Sequence, residues 1–129
     1  MQQTSTHIAQ VGRVIIPVED QDRALEFYVD TLGFEKRADI PFGDGDRWLE
    51  VAPPDASTAI AIMPRQPGGE AGREQTCIVL TTDDLDAALA SFRERGVDVD
   101  EPMGGDDPVP KMFFFRDLDR NNLLVVEEH

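Results

Sequence analysis

Residues Val14–Phe34 read V-I-I-P-V-E-D-Q-D-R-A-L-E-F-Y-V-D-T-L-G-F and decide the fold of this chain. The apolar run Val14–Val18 is short and rich in β-branched residues, which predicts a strand. Asp20 can cap a helix, apolar residues then recur at helical spacing, and Gly33 can end that helix. The stretch therefore predicts a strand, a turn, an amphipathic helix and the start of a new strand. The apolar helical positions are Leu25, Tyr28, Val29 and Leu32.

The second half of the chain repeats this order. Ile78-Val79-Leu80 is another short β-branched run, Asp83 and Asp84 offer a helix cap, and Gly96 offers the end of the helix. Gly33 and Gly96 lie about half the chain length apart, which indicates an internal duplication of one structural unit. One face of the second helix is marked by Leu85, Ala88, Leu89 and Phe92.

Turn and strand signals predict the α+β class, with two βαβββ modules at about 12–64 and 75–129 forming one domain. Residues 1–11 are predicted to be a tail, and residues 65–74 a linker. Each sheet needs its helix on one face, which leaves the other face free. We expect the modules to pair into a curved eight-stranded mixed sheet, with the helices outside and a concave cleft for a small molecule. Helices are predicted at about 21–32 and 84–95, and strands at about 12–18, 34–39, 47–52, 58–63, 76–81, 97–100, 111–116 and 123–127.

The composition excludes several classes of partner. A formal net charge of −14, from 26 acidic and 12 basic residues, repels nucleic acid and anionic membranes. No apolar run approaches the ~20 residues of a membrane span, and the polar N-terminus leads us to expect no secretory signal. The single cysteine, Cys77, cannot form an internal disulfide, which is compatible with the cytoplasm. The charge gives solubility in the simpler interpretation and attracts a cationic ligand in the alternative.

Four segments carry a recognisable pattern: V-x-D-x-x-x-A-L-x-F-Y-x-x-x-L-G-F at Val18–Phe34, R-W-L-E-V-A at Arg47–Ala52, T-T-D-D-L-D-A-A at Thr81–Ala88 and F-R-D-L-D-R-N at Phe115–Asn121. Together they resemble the vicinal oxygen chelate superfamily, which includes glyoxalases, bleomycin-resistance proteins and dioxygenases. The last of them departs from the D-P-D-G-N turn of that superfamily, because Leu118 replaces Pro and Arg120 replaces Gly. Arg120 is therefore expected to force a slightly different turn.

The resemblance implies a divalent metal held by His and Glu side chains from strands one, four, five and eight. It places those positions at Arg13, Ala61, Cys77 and Leu124, and none of these is a histidine or a carboxylate. Arg13 would repel a metal ion, and a single thiolate does not make a zinc site. We therefore expect no metal and no other cofactor, although a metal held by other ligands stays open.

Other residues can line the cleft. If Leu49 and Val51 face the helix, Trp48 and Glu50 face the cleft, where Glu50 is the best candidate for a general base. Arg13 can pair with Glu50 there, or each can contact a ligand; a purely structural ion pair is the alternative.

Two further strands of the second module add candidates to the cleft. Met112 and Phe114 are expected in it, whereas packing in the core or a dimer interface is the alternative. Cys77 is either a reactive thiol near Arg13 or a small buried side chain. His7 and His129 lie near the termini and are not expected to form a catalytic dyad.

The first functional hypothesis is a metal-free binding protein similar to the drug-sequestering resistance branch of this superfamily. The resemblance implies homodimers with clefts shared between subunits, in which Trp48 and Phe114 stack on the ligand. Glu50 and loop acids would hold cationic groups. A divergent lyase or isomerase that uses a metal or Glu50 is the first alternative, and a non-catalytic interaction module is the second. The loop acids are Asp44, Asp46, Asp106 and Asp107.

Overall fold

The computed structural model describes residues 6–43, 45–64 and 75–128, without the side chains of Gln75 and Cys77. Each helix and strand begins and ends close to the predicted residue, while the predicted linker 65–74 lies outside the described residues. The first module consists of β1 (Arg13–Val18), α1 (Gln21–Glu26), a π-helical continuation (Phe27–Thr31), β2 (Glu35–Pro41), β3 (Arg47–Ala52) and β4 (Ala59–Pro64). The second consists of β5 (Gln75–Thr82), α2 (Leu85–Glu94), β6 (Asp98–Val99), β7 (Met112–Arg116) and β8 (Asn122–Glu127).

Both helices begin and end with the predicted signals. The Asp20 side chain accepts hydrogen bonds from the first free N–H groups of α1, and the Asp84 side chain accepts one from the backbone of α2. Gly33 and Gly96 follow the two helices with φ angles of 80° and 77°, in the left-handed region that favours glycine. No helix among the described residues is long and apolar enough to span a membrane.

The strands confirm the duplicated βαβββ order. The two sheets have the orders β1-β4-β3-β2 and β5-β8-β7-β6, and in each sheet the first strand is parallel to the last. Among the described residues, the strands form two four-stranded sheets, whereas one continuous eight-stranded sheet was expected. The outer edge of β1 cannot pair regularly, because Pro17 has no N–H and its carbonyl accepts a hydrogen bond from Asn121 Nδ2.

One hydrophobic core joins the two modules. In the first sheet it contains the inward side chains of β1, β3 and β4, which pack with Phe27 and Tyr28. In the second, Phe113 and Phe115 lie 5.5 and 5.0 Å from the ring of Phe92, measured between ring centroids. The opposite orientation of Met112 and Phe114 follows from the alternation of side chains along β7.

A buried hydrogen-bond network fixes the turn before β8 against the first helix. Tyr28 Oη donates to Asp117 Oδ2 at 2.8 Å, and Asn121 Nδ2 donates to the same oxygen at 3.0 Å. Asp117 Oδ1 accepts from the backbone N–H groups of Asp119 and Asn121. Arg120 itself adopts the left-handed conformation that favours glycine, with φ 67°.

Candidate functional site

Three of the predicted site residues lie on the open face of the first sheet, meaning the face that points away from α1. Leu49 and Val51 belong to the core, so Trp48 and Glu50, which alternate with them, lie on the open face. The same alternation in β1 places Arg13 there. The sequence therefore predicted correctly which face of the sheet carries these side chains.

Arg13 reaches Glu50 across an intervening strand. In the register of the sheet, Arg13 lies beside Ala59 of β4 and Glu50 lies beside Ala61 of the same strand. Two strand spacings separate β1 from β3 by roughly 9.5 Å. Because the two alanine side chains are short, the Arg13 side chain can cross over β4, and its Nε donates a hydrogen bond to Glu50 Oε2.

Glu50 is an ionised carboxylate held in a nearly closed environment. Its side chain is only 7% exposed, whereas that of Arg13 is 56% exposed. Trp48 Nε1 donates to the same Oε2 atom at 2.5 Å. Burial acts to raise the pKa of Glu50, but the hydrogen bonds from Trp48 and Arg13 outweigh it, so the pKa lies below its usual value.

Exposed apolar side chains surround this polar centre. The rings of Phe42 and Trp48 meet edge to face, with their centroids 5.6 Å apart, and Ile40 is the register partner of Trp48 in β2. Ile15 shares the open face with Arg13. The exposed fractions of Ile15, Ile40 and Phe42 are 62%, 57% and 54%, which is unusual for large apolar residues grouped on one face. We call Ile15, Ile40, Phe42 and Trp48 the Trp48 patch.

Sequence reasoning missed three members of the Trp48 patch and the role of two alanines. Ile40 lay one residue beyond the predicted second strand, and Phe42 lay in a loop. The alternation from Ala38 to Ile40 was a usable signal, because it continues the period of two along β2. The importance of Ala59 and Ala61 depends on the order of the strands, for which the sequence has no local signal.

Three other predicted site residues with described side chains lie on the second sheet. Met112, Phe114 and Leu124 are half-buried, and Phe114 is the register partner of Leu124. Val79, on the adjacent strand, is also a register partner of Leu124 and is 53% exposed. Within the described ranges, no hydrogen bond or ring contact joins this group to the Trp48 patch. The structure therefore brings the predicted residues together as two groups, one on each sheet.

The other predicted residues either lie outside the described part of the chain or are exposed and apart from the Arg13–Glu50 pair. Asp44, His129 and the Cys77 side chain lie outside the described residues. His7 is exposed and belongs to no helix or strand. The exposed loop residues Asp46, Asp106 and Asp107 form no hydrogen bond with the Arg13–Glu50 pair.

A separate cavity of about 610 Å³ lies between the first module and β5. Its lining includes side chains that point towards the core and the exposed Val79 of β5, but no member of the Trp48 patch. It contains none of the predicted site residues and no buried charged side chain. For this reason we place the candidate site at the Arg13–Glu50 pair. The apolar lining residues are Val14, Pro53, Pro54, Ala56, Ile60, Ile78, Val79 and Leu80.

The described residues do not fit the divalent metal that the resemblance implies. No group of three or more His, Cys, Asp or Glu side chains that could hold a metal ion occurs in the described part of the chain. The Glu50 carboxylate is already paired with the guanidinium of Arg13, whose positive charge would repel a metal ion.

The comparison with protein families agrees with this fold. A model of the Glyoxalase/Bleomycin resistance protein/Dioxygenase superfamily matches residues 7–125. The chain belongs to this superfamily. It is also 33% identical over 122 residues to YetH, an uncharacterised protein of Bacillus subtilis strain 168, across 93% of this chain and 99% of YetH.

Two solved structures are similar to this superfamily member over nearly its whole length. TnmS3, an antibiotic binding protein from Streptomyces sp. CB03234, is 37% identical, with a TM-score of 0.85 over 97% of this chain and 100% of TnmS3. A superfamily member from Sphaerobacter thermophilus DSM 20745 is also 37% identical, with a TM-score of 0.87 over 95% of this chain and 99% of that one. Both support the same fold and the same superfamily.

Proposed function

We propose that this protein binds a small aromatic molecule on the open face of the first sheet, without a metal or other cofactor. The observation that carries the proposal is the Trp48 patch around the Arg13–Glu50 pair. Binding sites for small molecules combine an apolar lining with a few fixed polar groups. Here the polar groups are fixed by hydrogen bonds among Arg13, Trp48 and Glu50, and the apolar side chains are exposed and available for contact.

The similarity to TnmS3 supports the same class of function. TnmS3 is an antibiotic binding protein, and the two chains match over nearly their whole lengths. A common fold alone does not determine function, so the proposal depends on the local chemistry of the open face. An aromatic ligand is consistent with that chemistry, because an indole and a phenyl ring lie side by side there.

The alternative of a lyase or isomerase has weaker support. Glu50 would have to accept a proton, but its lowered pKa and its two hydrogen bonds make it a poor general base at neutral pH. An interaction module is a second alternative, in which another protein covers the Trp48 patch. The ordered polar centre favours a small ligand, since such a centre gives orientation within an apolar site.

We also propose a homodimer in which the second sheet of one subunit completes the site on the first sheet of the other. Phe114 and Leu124 form a half-buried apolar surface that no described contact joins to the Trp48 patch of the same chain. A symmetric dimer would bring these two surfaces together twice. We also propose a cytoplasmic location, because the single cysteine, Cys77, cannot form an internal disulfide.

Binding can be tested through the single tryptophan of the chain. Titration with a panel of aromatic compounds should change the Trp48 emission, and calorimetry should give the affinity. Trp48→Leu should weaken binding by about tenfold or more, equivalent to ~1.4 kcal/mol. Leu118→Ala is the matched control, because Leu118 is an exposed apolar residue in the turn before β8. The proposal fails if no compound binds, or if Trp48→Leu binds as tightly as Leu118→Ala.

A mixing experiment tests the shared site. Trp48→Leu and Phe114→Ala chains are each expected to bind poorly, but their heterodimer contains one site with both residues intact. After subunit exchange, about one quarter of all sites should bind with wild-type affinity. Sedimentation analysis should show a dimer. A monomer, or the absence of recovered binding in a confirmed heterodimer, contradicts the shared site.

A further inference from the structure

We infer that this site recognises an acceptor oxygen on the ligand, as a carboxylate, phenolate or carbonyl group at the edge of an aromatic ring. The oxygen would accept hydrogen bonds from the terminal nitrogens of Arg13. This inference rests on the proposed function and replaces the expectation from the sequence that acids hold a cationic ligand. It follows from three features of the Arg13–Glu50 pair.

The first feature is the free end of Arg13. A guanidinium has five N–H donors, and in the described residues only the Nε–H of Arg13 has an acceptor, Glu50 Oε2. The terminal nitrogens Nη1 and Nη2 have no hydrogen-bond partner among those residues, and more than half of the side chain is exposed. Arg13 is thus held by one donor and presents the others to a ligand. Two neighbouring N–H groups in one plane suit carboxylate and carbonyl oxygens.

The second feature is the closure of Glu50. A cationic ligand would need this carboxylate, yet its side chain is 7% exposed and its Oε2 atom already accepts from both Arg13 and Trp48. The positive charge of Arg13 compensates Glu50 and is the more exposed of the two charges. An approaching cation would therefore meet the guanidinium first and be repelled. Glu50 is a positioning residue in this arrangement, because it acts through Arg13 and Trp48.

The third feature is the fixed orientation of the aromatic surface. The hydrogen bond from Trp48 to Glu50 uses the only polar atom of the indole, so the rest of the ring remains as an apolar surface beside Phe42. A ligand ring on this surface has its edge near Arg13, because Trp48 and Arg13 share the same oxygen of Glu50. The net charge of −14 repels anions at long range, but salt at about 0.15 M limits this repulsion to ~8 Å.

Three naphthalene probes of nearly equal shape test the inference by calorimetry at about 0.15 M salt. They are 2-naphthoate, methyl 2-naphthyl ketone and 2-naphthylmethylammonium. The wild type should bind the carboxylate and the ketone about tenfold or more tightly than the ammonium compound, equivalent to ~1.4 kcal/mol. Arg13→Gln should remove this preference and improve binding of the ammonium probe, since Glu50 would then have no cationic partner.

The double variant Arg13→Gln/Glu50→Gln shows whether a folding defect in Arg13→Gln explains its loss of preference. It removes both charges, so no charged group remains without its partner in the sheet. It should bind all three probes weakly and without preference, with a circular dichroism spectrum like that of the wild type. Arg13→Lys should bind the carboxylate more weakly than the wild type, because lysine cannot contact Glu50 and offer a planar pair of donors together.

The outcomes separate this inference from the proposed function. If the ammonium probe binds the wild type as tightly as the others, or if Arg13→Gln leaves the order unchanged, the inference is overturned while the binding site stands. If none of the probes and none of the aromatic panel binds the wild type, the proposed function itself fails. Preference for the oxygen-bearing probes that disappears in Arg13→Gln supports the inference.

Discussion

Replacement of Tyr28 by Phe should cost about 1.5–3 kcal/mol of stability, the range for hydrogen bonds to charged groups. The Tyr28 side chain is fully buried, and its hydroxyl donates to Asp117 Oδ2 at 2.8 Å. Tyr28→Phe preserves the ring and removes only this donor, so the packing contacts with Phe27 and Phe34 stay. Asp117 Oδ2 would keep only its bond from Asn121, in a buried position that water does not reach freely.

The assay is urea unfolding at a fixed protein concentration, with the free energy of unfolding obtained by linear extrapolation. Thr58→Val is the matched control, since it also removes one hydroxyl donor, but from an exposed hydrogen bond to the carbonyl of Val11. The control should lose no more than about 0.5–1 kcal/mol. If Tyr28→Phe costs no more than the control, the network is not what fixes the turn before β8 against the first helix.

Three further predictions follow from the site and from the turn. Ala61→Leu should block the path of Arg13 over β4 and lower ligand affinity by about tenfold in calorimetry; unchanged affinity would contradict the crossing. The pKa of Glu50 lies below its ordinary value of 4.5, so ionised Glu50 stabilises the fold above that pH, and the stabilisation is lost as pH falls through the folded pKa. The stability difference between wild type and Glu50→Gln should therefore shrink in urea unfolding below about pH 4.5, and a constant difference would refute this linkage. Arg120→Gly should raise the melting temperature, with a gain of up to ~1 kcal/mol from relief of the left-handed conformation; a lower melting temperature would show that the side chain contributes more than this strain.

Local signals were sufficient to predict the helices and the faces of the strands. Asp20 and Gly33 act within one turn of the chain, where a cap or a left-handed residue has the same effect in any fold. Leu49 and Val51 were assigned to the core by alternation alone, and Trp48 and Glu50 then had to lie on the other face. These predictions needed no knowledge of which strands are neighbours.

The turn at Arg120 depends on contacts that a local rule does not describe. A glycine is favoured at this position, and its absence suggested a different turn. Asp117, however, accepts hydrogen bonds from Tyr28, Asp119 and Asn121, and these contacts hold the turn while Arg120 adopts the strained conformation. One of those donors comes from the first helix, so the outcome depended on a contact between distant parts of the chain.

The resemblance of four segments to a known family was sufficient to indicate the superfamily. The sequence by itself also determined the duplicated module and the residues of each face, because periodicity and capping are properties of short segments. Only the tertiary structure decided how those residues meet. Arg13 reaches Glu50 because β4 lies between β1 and β3 and carries alanines at the crossing. The pair leaves the guanidinium exposed and the carboxylate buried, so the more exposed charge is positive, which reverses the expectation from the sequence. This reversal depends on the order of strands in space, since backbone pairing joins residues that are far apart in the chain.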